Sequence, residues 1–178
     1  MTAISTLQFR NFDATDLPVI AQAMGDTRVT QYYGLETTQT DARAIAQEQL
    51  AWYQDLARNG EGWWQAICIS SQVVGGVGVY DREDDGDSAE LGYWLLPSHW
   101  GQGLMRSALP RWLPTAFAQL QLHNCIAYVE PENQPSIRLL TSAGFTHEGL
   151  LRDCTSRDDG YASLHRFSIL VHELPQLS

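Results

Sequence analysis

Residues 90–109 read Glu90-Leu-Gly-Tyr-Trp-Leu-Leu-Pro97-Ser-His-Trp-Gly101-Gln-Gly103-Leu-Met-Arg-Ser-Ala-Leu109. An apolar run typical of a buried strand ends at Pro97, two glycines follow, and apolar residues then recur at helical spacing. Glycines let a backbone approach a ligand closely, and the free N–H groups of a first helical turn attract anions together with the helix dipole. The pattern predicts a strand, a turn and a helix with an anion site suited to a pyrophosphate.

A dinucleotide-binding loop does not fit this stretch. The glycines do not form the GxGxxG spacing, and the unit lies in mid-chain behind a predicted antiparallel hairpin. A second glycine-rich run, Gly75-Gly76-Val-Gly78, lies inside a predicted strand and indicates a bulge or a close-packed position rather than a ligand loop.

Outward from this stretch, the periodicity predicts an α/β protein of the α+β type, with a mixed, largely antiparallel twisted sheet and about four helices. We expect one domain over residues 1–178. The first predicted helix is capped by Asp13 or Thr15 and ends near Met24, and residues 27–39 are expected to form a loop. The predicted strands are 7–12, 63–70, 73–80, 89–96, 124–130, 145–153 and 161–173, and the other helices are 41–58, 103–122 and 134–142, with polar turns at 81–87 and 156–160.

The amino-acid composition excludes several classes of function. The 178 residues include 11 arginines, no lysine and 21 acidic residues, for a formal charge of −10. Without lysine, Schiff-base chemistry and a Gly-Lys-Ser/Thr phosphate loop are excluded. An acidic chain without basic runs argues against nucleic-acid binding and favours positively charged ligands.

Neither a signal peptide nor a membrane-spanning run is visible, so a cytoplasmic protein without membrane association is expected. The cysteines Cys68, Cys125 and Cys154 and the five histidines are scattered, so we predict neither a disulfide framework nor a metal site.

Two motifs resemble the GNAT superfamily of N-acetyltransferases. The run from Leu91 to Met105 resembles the acetyl-CoA-binding motif, and its Trp-Gly-x-Gly form is similar to the branch of ribosomal-protein N-terminal acetyltransferases. The second match, Asn133-x-x-Ser136 followed by a short helix, Gly-Phe and Glu-Gly, comes at the expected distance. The resemblance covers essentially the whole chain and implies a GNAT-like acyl-CoA N-acyltransferase fold.

The resemblance also implies where acetyl-CoA binds, namely between the strands 89–96 and 124–130. Backbone groups around Leu95 would hold the acetyl carbonyl, residues 101–107 would wrap the pyrophosphate, and Asn133 would hydrogen-bond the pantetheine arm or the thiol end. The expected coenzyme-binding residues are Trp94, Leu95, Leu96, Trp100, Gly101, Gln102, Gly103, Leu104, Met105, Arg106, Ser107 and Asn133.

Two residues are candidates for the chemistry. Ser136 matches the serine that this branch places near the coenzyme sulfur, so it is our candidate proton donor; alternatively it only opens a short helix capped by Asn133. Many relatives have a tyrosine four residues further on, where this chain has Leu140. Glu90 is the candidate base, acting through water with a pKa raised by apolar neighbours; alternatively it is a solvated hairpin charge.

The resemblance implies acetyl transfer from acetyl-CoA to a primary amine by direct attack in a ternary complex. The acceptor that the ribosomal-protein branch implies first is a protein or peptide N-terminus. The alternatives are a small cationic amine, such as a polyamine or aminoglycoside, and a non-catalytic acyl-CoA-binding sensor. The aromatic residues Tyr32, Tyr33, Trp63 and Trp64 flank the expected acceptor region, although such spacing is more typical of core. The expected partners are thus acetyl-CoA and an amine, for a monomer or homodimer.

Overall fold

The computed structural model describes residues 7–34, 39–82, 87–157 and 160–174. Its strands are β1 (Leu7–Asn11), β2 (Trp63–Ile69), β3 (Gln72–Tyr80), β4 (Ser88–Leu95), β5 (Asn124–Val129), β6 (Thr146–Arg157) and β7 (Gly160–Leu170). Its helices are α1 (Leu17–Met24), α2 (Thr27–Thr30), α3 (Ala42–Asn59), α4 (Leu104–Leu120) and α5 (Gln134–Ser142).

The seven strands form one sheet in the order β1-β2-β3-β4-β5-β7-β6. Only β4 and β5 run parallel, and every other neighbouring pair is antiparallel. The predicted α/β class with a mixed, largely antiparallel sheet is therefore confirmed. The parallel pair is where α4 crosses from one strand to the next.

Short polar side chains account for several element boundaries. Asp13 accepts a hydrogen bond from the Thr15 backbone N–H and opens a 3-10 turn, Ala14–Asp16, before α1. Asp41 caps α3 through the Ala44 N–H, and Gly60 ends that helix with a φ of 75°. These boundaries agree with the predicted ones to within a few residues.

Three predictions, two of loops and one of a strand end, need correction. The segment predicted as a loop from residue 27 begins with α2, because the Asp26 carboxylate caps the Arg28 N–H and starts a helical turn. The last strand ends at Leu170, and Val171–Glu173 form a 3-10 turn instead of its continuation. Strands β6 and β7 also take up most of the predicted polar turn, whose residues 158–159, like 35–38 and 83–86, lie outside the described residues.

Helix α4 continues through Pro110 and Pro114. An interior proline costs ~3 kcal/mol because it removes a backbone hydrogen bond. Against this cost, α4 buries a long apolar face, and each fully buried large apolar side chain contributes roughly 1.5–3 kcal/mol. The buried residues are Leu104, Met105, Ala108, Leu109, Trp112, Leu113, Ala116, Phe117 and Leu120. Tertiary packing thus outweighs the local penalty.

The core lies in two layers, one on each face of the sheet. The larger layer contains the buried faces of α4 and α5, and the smaller one contains α1 and α3. Because successive strand residues point to opposite faces, β4 contributes Leu91 to the first layer and Trp94 to the second. Among the described residues, no helix is long and apolar enough to cross a membrane.

Candidate active site

Strands β4 and β5 pair only at their beginnings. Their parallel register covers three residue pairs, from Ser88–Asn124 to Glu90–Ile126. Beyond these pairs the two strands do not pair with each other. We call the space between the unpaired ends of these strands the β4–β5 cleft. Register shifts also interrupt the β2–β3 and β6–β7 pairings, but there the pairing resumes beyond the shift.

The backbone of Leu95 faces the β4–β5 cleft. The Leu96 N–H donates to the Val74 carbonyl on β3 at 2.9 Å. In an antiparallel ladder, successive residues direct their N–H and C=O groups to opposite sides, so those of Leu95 point away from β3 and towards β5. The Trp100 indole N–H donates to the Leu95 carbonyl at 2.8 Å, which leaves the Leu95 N–H as the backbone donor here.

The turn between β4 and α4 is open to ligands. Gly101 and Gly103 have φ angles of 70° and 71°, and a Cβ atom built on either glycine would meet nothing within 4 Å. Gly103 is the N-cap residue of α4, and no side chain caps the first helical turn. The Gln102 amide braces the turn by donating to the Ser98 carbonyl at 2.9 Å. Uncapped N–H groups beside open space are what an anion site needs, and the sequence predicts such a site at this turn.

Several predicted coenzyme-binding residues have buried side chains. Leu104 and Met105 point into the larger core layer, while Trp94 and Leu96 point into the smaller one. These four residues can therefore meet a ligand only through their backbones. Arg106, by contrast, is exposed on the first turn of α4.

On the other side of the β4–β5 cleft, Asn133 is the N-cap residue of α5, and Ser136 lies in the first turn of that helix. The Asn133 side-chain oxygen accepts a hydrogen bond from the Ser136 N–H at 3.2 Å and caps the helix. Ser136 is 9% exposed, and its hydroxyl is hydrogen-bonded to the Tyr93 hydroxyl on β4. Burial raises the pKa of Tyr93 to about 12, although the bond to Ser136 acts in the opposite direction. The cap and the hydroxyl pair coexist, so capping by Asn133 leaves the Ser136 oxygen available.

Glu90 lies on the opposite face of β4 from Tyr93. The Tyr80 hydroxyl donates to the Glu90 carboxylate at 2.6 Å, across the β3–β4 register that pairs these two residues. Burial raises the pKa of Glu90, and the Tyr80 hydrogen bond partly offsets this because it stabilises the ionised form. Glu90 is thus a partly buried carboxylate with one hydroxyl partner, and not a solvated hairpin charge.

Most of the aromatic residues that flank the expected acceptor region belong to the core. Trp64 is 3% exposed. The hydroxyl groups of Tyr33 and Tyr53 share a hydrogen bond of 2.9 Å. Trp63 stacks on Trp112, which belongs to the larger core layer. Only Tyr32, at 39%, is exposed.

Glu148 has a structural role. Glu148, in the second motif, accepts from the Ser168 hydroxyl and pairs with Arg166, so it ties β6 to β7. In the part of the chain that the structure describes, no group of three or more His, Cys, Asp or Glu side chains could hold a metal ion.

Sequence reasoning missed Tyr80 and Tyr93 as partners of Glu90 and Ser136. Tyr80 could have been found from the hairpin register, because pairing β3 with β4 across the acidic turn brings residues 80 and 90 together. Tyr93 had no such signal, since its contact with α5 depends on how that helix packs over the sheet.

Comparisons with known proteins bear on the family and the fold. A family model described as an acetyltransferase (GNAT) domain matches residues 6–146. An uncharacterized N-acetyltransferase, p20, from Bacillus licheniformis is 33% identical over 94% of both chains. A ribosomal-protein-serine acetyltransferase from Escherichia coli is 25% identical over 59% of both chains.

Two solved structures share the fold. The structure of RimJ from Mycobacterium smegmatis in complex with CoA-disulfide superposes with a TM-score of 0.82 at 26% identity, covering 96% of this chain and 84% of that one. A spermidine N-acetyltransferase from Vibrio cholerae in complex with CoA and spermine gives a TM-score of 0.80 at 23% identity, covering 96% and 98%.

Proposed function

Since the chain belongs to the GNAT acetyltransferase family and is an acetyl-CoA-dependent N-acetyltransferase, we propose that its acceptor is the free amine of a protein or peptide N-terminus. The Trp100-Gly-x-Gly form of the turn supports this acceptor, because it is similar to the ribosomal-protein branch. The relative from Escherichia coli that acts on a ribosomal protein supports it as well. Family membership argues against a non-catalytic sensor.

The observation that carries the proposed acetyl transfer is the β4–β5 cleft, with an open glycine turn at one end and a buried serine hydroxyl at its side. The coenzyme fits this arrangement. The uncapped N–H groups of residues 104–106 would bind the pyrophosphate, and Arg106 would add charge from the surface. The Leu95 N–H would hold the acetyl carbonyl, and the amide nitrogen of Asn133, which is not needed for capping, would meet the pantetheine arm.

The reaction needs three things from the protein: a donor at the carbonyl oxygen, a route for the amine proton, and a proton for the departing sulfur. A C–N bond forms and the C–S bond breaks, with its electron pair passing to sulfur. The Leu95 N–H stabilises the negative charge that develops on the carbonyl oxygen. Glu90 takes the amine proton through water, and Ser136 donates a hydrogen bond to the departing sulfur, which takes its proton from solvent.

The two faces of β4 separate the Glu90 carboxylate from the Ser136 hydroxyl. Glu90 and Tyr93 are three residues apart, so their side chains leave the strand on opposite faces. The proton acceptor therefore lies on the α3 side and the Ser136 hydroxyl on the α4 side. This division suits an amine that approaches from one side while the thiolate leaves towards the other.

One observation favours a small cationic amine as a second candidate. Beside Glu90, the rings of Trp52 and Tyr80 meet edge to face with centroids 5.5 Å apart, and Trp52 is 36% exposed. A carboxylate beside accessible aromatic rings binds an ammonium group through charge and cation–π attraction. The formal charge of −10 acts in the same direction.

Coenzyme-thiol release with acetyl-CoA distinguishes these acceptors. The panel consists of peptides with N-terminal Ala or Ser, the same peptides with a blocked N-terminus and an internal lysine, spermidine, and an aminoglycoside. We expect kcat/KM to be at least about 100-fold higher for the free N-terminal peptides than for their blocked counterparts, because only the former present the proposed amine. A preference for spermidine would replace the peptide acceptor with the second candidate.

A further inference from the structure

The hydroxyl groups of Tyr93 and Ser136 bridge the β4–β5 cleft. Tyr93 lies on β4, and Ser136 lies on the helix that follows β5, so their hydrogen bond joins the two sides where the strands have separated. In the described part of the chain, neither hydroxyl oxygen has another side-chain partner. The pair is also partly shielded from water, since Ser136 is only 9% exposed.

The hydroxyl pair of Tyr93 and Ser136 has one hydrogen left over for a third atom. Two hydroxyl groups carry two hydrogens, and one of them is used in the mutual bond. A phenol is a stronger acid than an alcohol, so Tyr93 donates and Ser136 accepts. The hydrogen of Ser136 is then free to point at a third atom.

We propose that Tyr93 is a positioning residue, which directs the Ser136 hydrogen towards the sulfur of the departing coenzyme. This inference rests on the proposed role of Ser136 in the acetyl transfer. Accepting the Tyr93 hydrogen occupies a lone pair of Ser136 and limits rotation of its hydroxyl. The same bond polarises the Ser136 O–H and strengthens it as a donor.

Tyr93 keeps its own proton during the reaction. A thiol has an ordinary pKa of about 8.5, whereas burial raises the pKa of Tyr93 to about 12. Transfer of the phenolic proton to a thiolate would thus be uphill by several pKa units. An alcohol is a weaker acid still, so Ser136 also keeps its proton and stabilises the departing thiolate through a hydrogen bond. In balance, the amine proton passes through water to Glu90 and from there to solvent, and the thiolate takes up a proton from solvent.

Leu140 does not bring a hydroxyl group to Ser136. Leu140 is fully buried in the larger core layer, four residues after Ser136. It offers no hydroxyl to the β4–β5 cleft. Tyr93 brings a phenol to the same serine from β4.

A double-mutant cycle tests the coupling. The wild type, Tyr93→Phe, Ser136→Ala and the double variant are compared in kcat and in KM for acetyl-CoA. We expect Ser136→Ala to lower kcat by ~10- to 1,000-fold and Tyr93→Phe by ~10-fold. The double variant should be no slower than Ser136→Ala, because the phenol acts only through the serine.

Binding gives a second readout that requires no acceptor. Calorimetry at pH 9, where the coenzyme thiol is largely ionised, compares coenzyme A with desulfo-coenzyme A, which lacks the sulfur. The wild type should prefer coenzyme A by about tenfold, a charge-assisted hydrogen bond being worth roughly 1.5 kcal/mol. Both Tyr93→Phe and Ser136→Ala should lose most of this preference while still binding desulfo-coenzyme A.

Tyr53→Phe is the matched control, because it also removes a buried phenol, one that accepts from the Trp94 indole. It should change kcat by the same factor with and without Ser136. The proposal is wrong if Tyr93→Phe lowers kcat by the same factor in the wild type and in Ser136→Ala. It is also wrong if Tyr93→Phe keeps the preference for coenzyme A over desulfo-coenzyme A. Failure of the proposed acceptor would appear separately, as a change of the preferred amine in an active wild type.

Discussion

The glycines of strands β3 and β4 and those of the turn before α4 occupy opposite environments. A Cβ atom on Gly78 or Gly92 would lie 2.2 Å or 2.7 Å from ring atoms of Trp64, so the indole fills the place of a side chain. At Gly101 and Gly103 a Cβ atom would meet nothing within 4 Å, and glycine is required there by positive φ angles. The first pair serves packing and the second leaves room for a ligand.

This contrast separates stability from coenzyme binding. The packed glycines hold Trp64 and Tyr80 in place, and Tyr80 in turn holds Glu90. The open glycines shape the turn before α4. Substitutions in the first group should therefore act on folding and on proton transfer, whereas those in the second should act on KM for acetyl-CoA.

The largest effect is expected for Gly78→Ala. Its methyl group would collide with the buried Trp64 ring, and we expect a loss of about 3 kcal/mol or more in the free energy of unfolding. Urea denaturation measures this loss. In a Trp64→Leu background, where the ring is gone, the same substitution should cost much less; an equal cost in both backgrounds would mean that Trp64 is not what excludes the side chain.

The next largest effect is expected for Glu90→Gln. If Glu90 is the base, kcat/KM at pH 7 should fall by about 100-fold. Stability should not fall with it. Because burial raises the folded-state pKa of Glu90, its ionisation costs stability as the pH rises through that pKa. The neutral amide avoids this cost, so the thermal midpoint at pH 7 should be equal to or higher than that of the wild type.

Tyr80→Phe is the control for this assignment. It removes the hydrogen bond that lowers the pKa of Glu90 and leaves the raising effect of burial. The acidic limb of the kcat/KM profile should move to higher pH, since the base is then ionised only at higher pH. An unmoved limb would assign that titration to another group.

The sequence predicted the elements well where local chemistry determines them. The bounds of α5 are those predicted, because Asn133 caps it and Ala143-Gly144 follow its end. The glycine turn was also predictable, since proline and glycine restrict or free the backbone whatever surrounds them. Helix α2 was missed because four residues contain too little periodicity to distinguish a helical turn from a loop.

The candidate site was predictable in its residues but not in their pairing. Spacing and resemblance selected Glu90 and Ser136. Their partners come from the hairpin register and from the packing of α5, which depend on contacts distant in sequence. Likewise, the predicted coenzyme-binding residues 104–106 do not all face solvent. The structure shows that the side chains of Leu104 and Met105 are buried and that Arg106 is exposed.

The smallest effect, and the one that most sharpens the contrast between the two kinds of glycine, is expected for Gly103→Ala. Gly60 is its matched control: it ends α3 with a φ of 75°, and a Cβ atom there also meets nothing within 4 Å. Either substitution forces alanine into the left-handed region, at about 1–2 kcal/mol of stability. Only Gly103→Ala should also raise KM for acetyl-CoA, by about fivefold if the distorted turn loses one hydrogen bond of ~1 kcal/mol. Steady-state kinetics beside urea denaturation measure both quantities, and an equal rise in KM for Gly60→Ala would show that the effect follows lost stability and not the turn before α4.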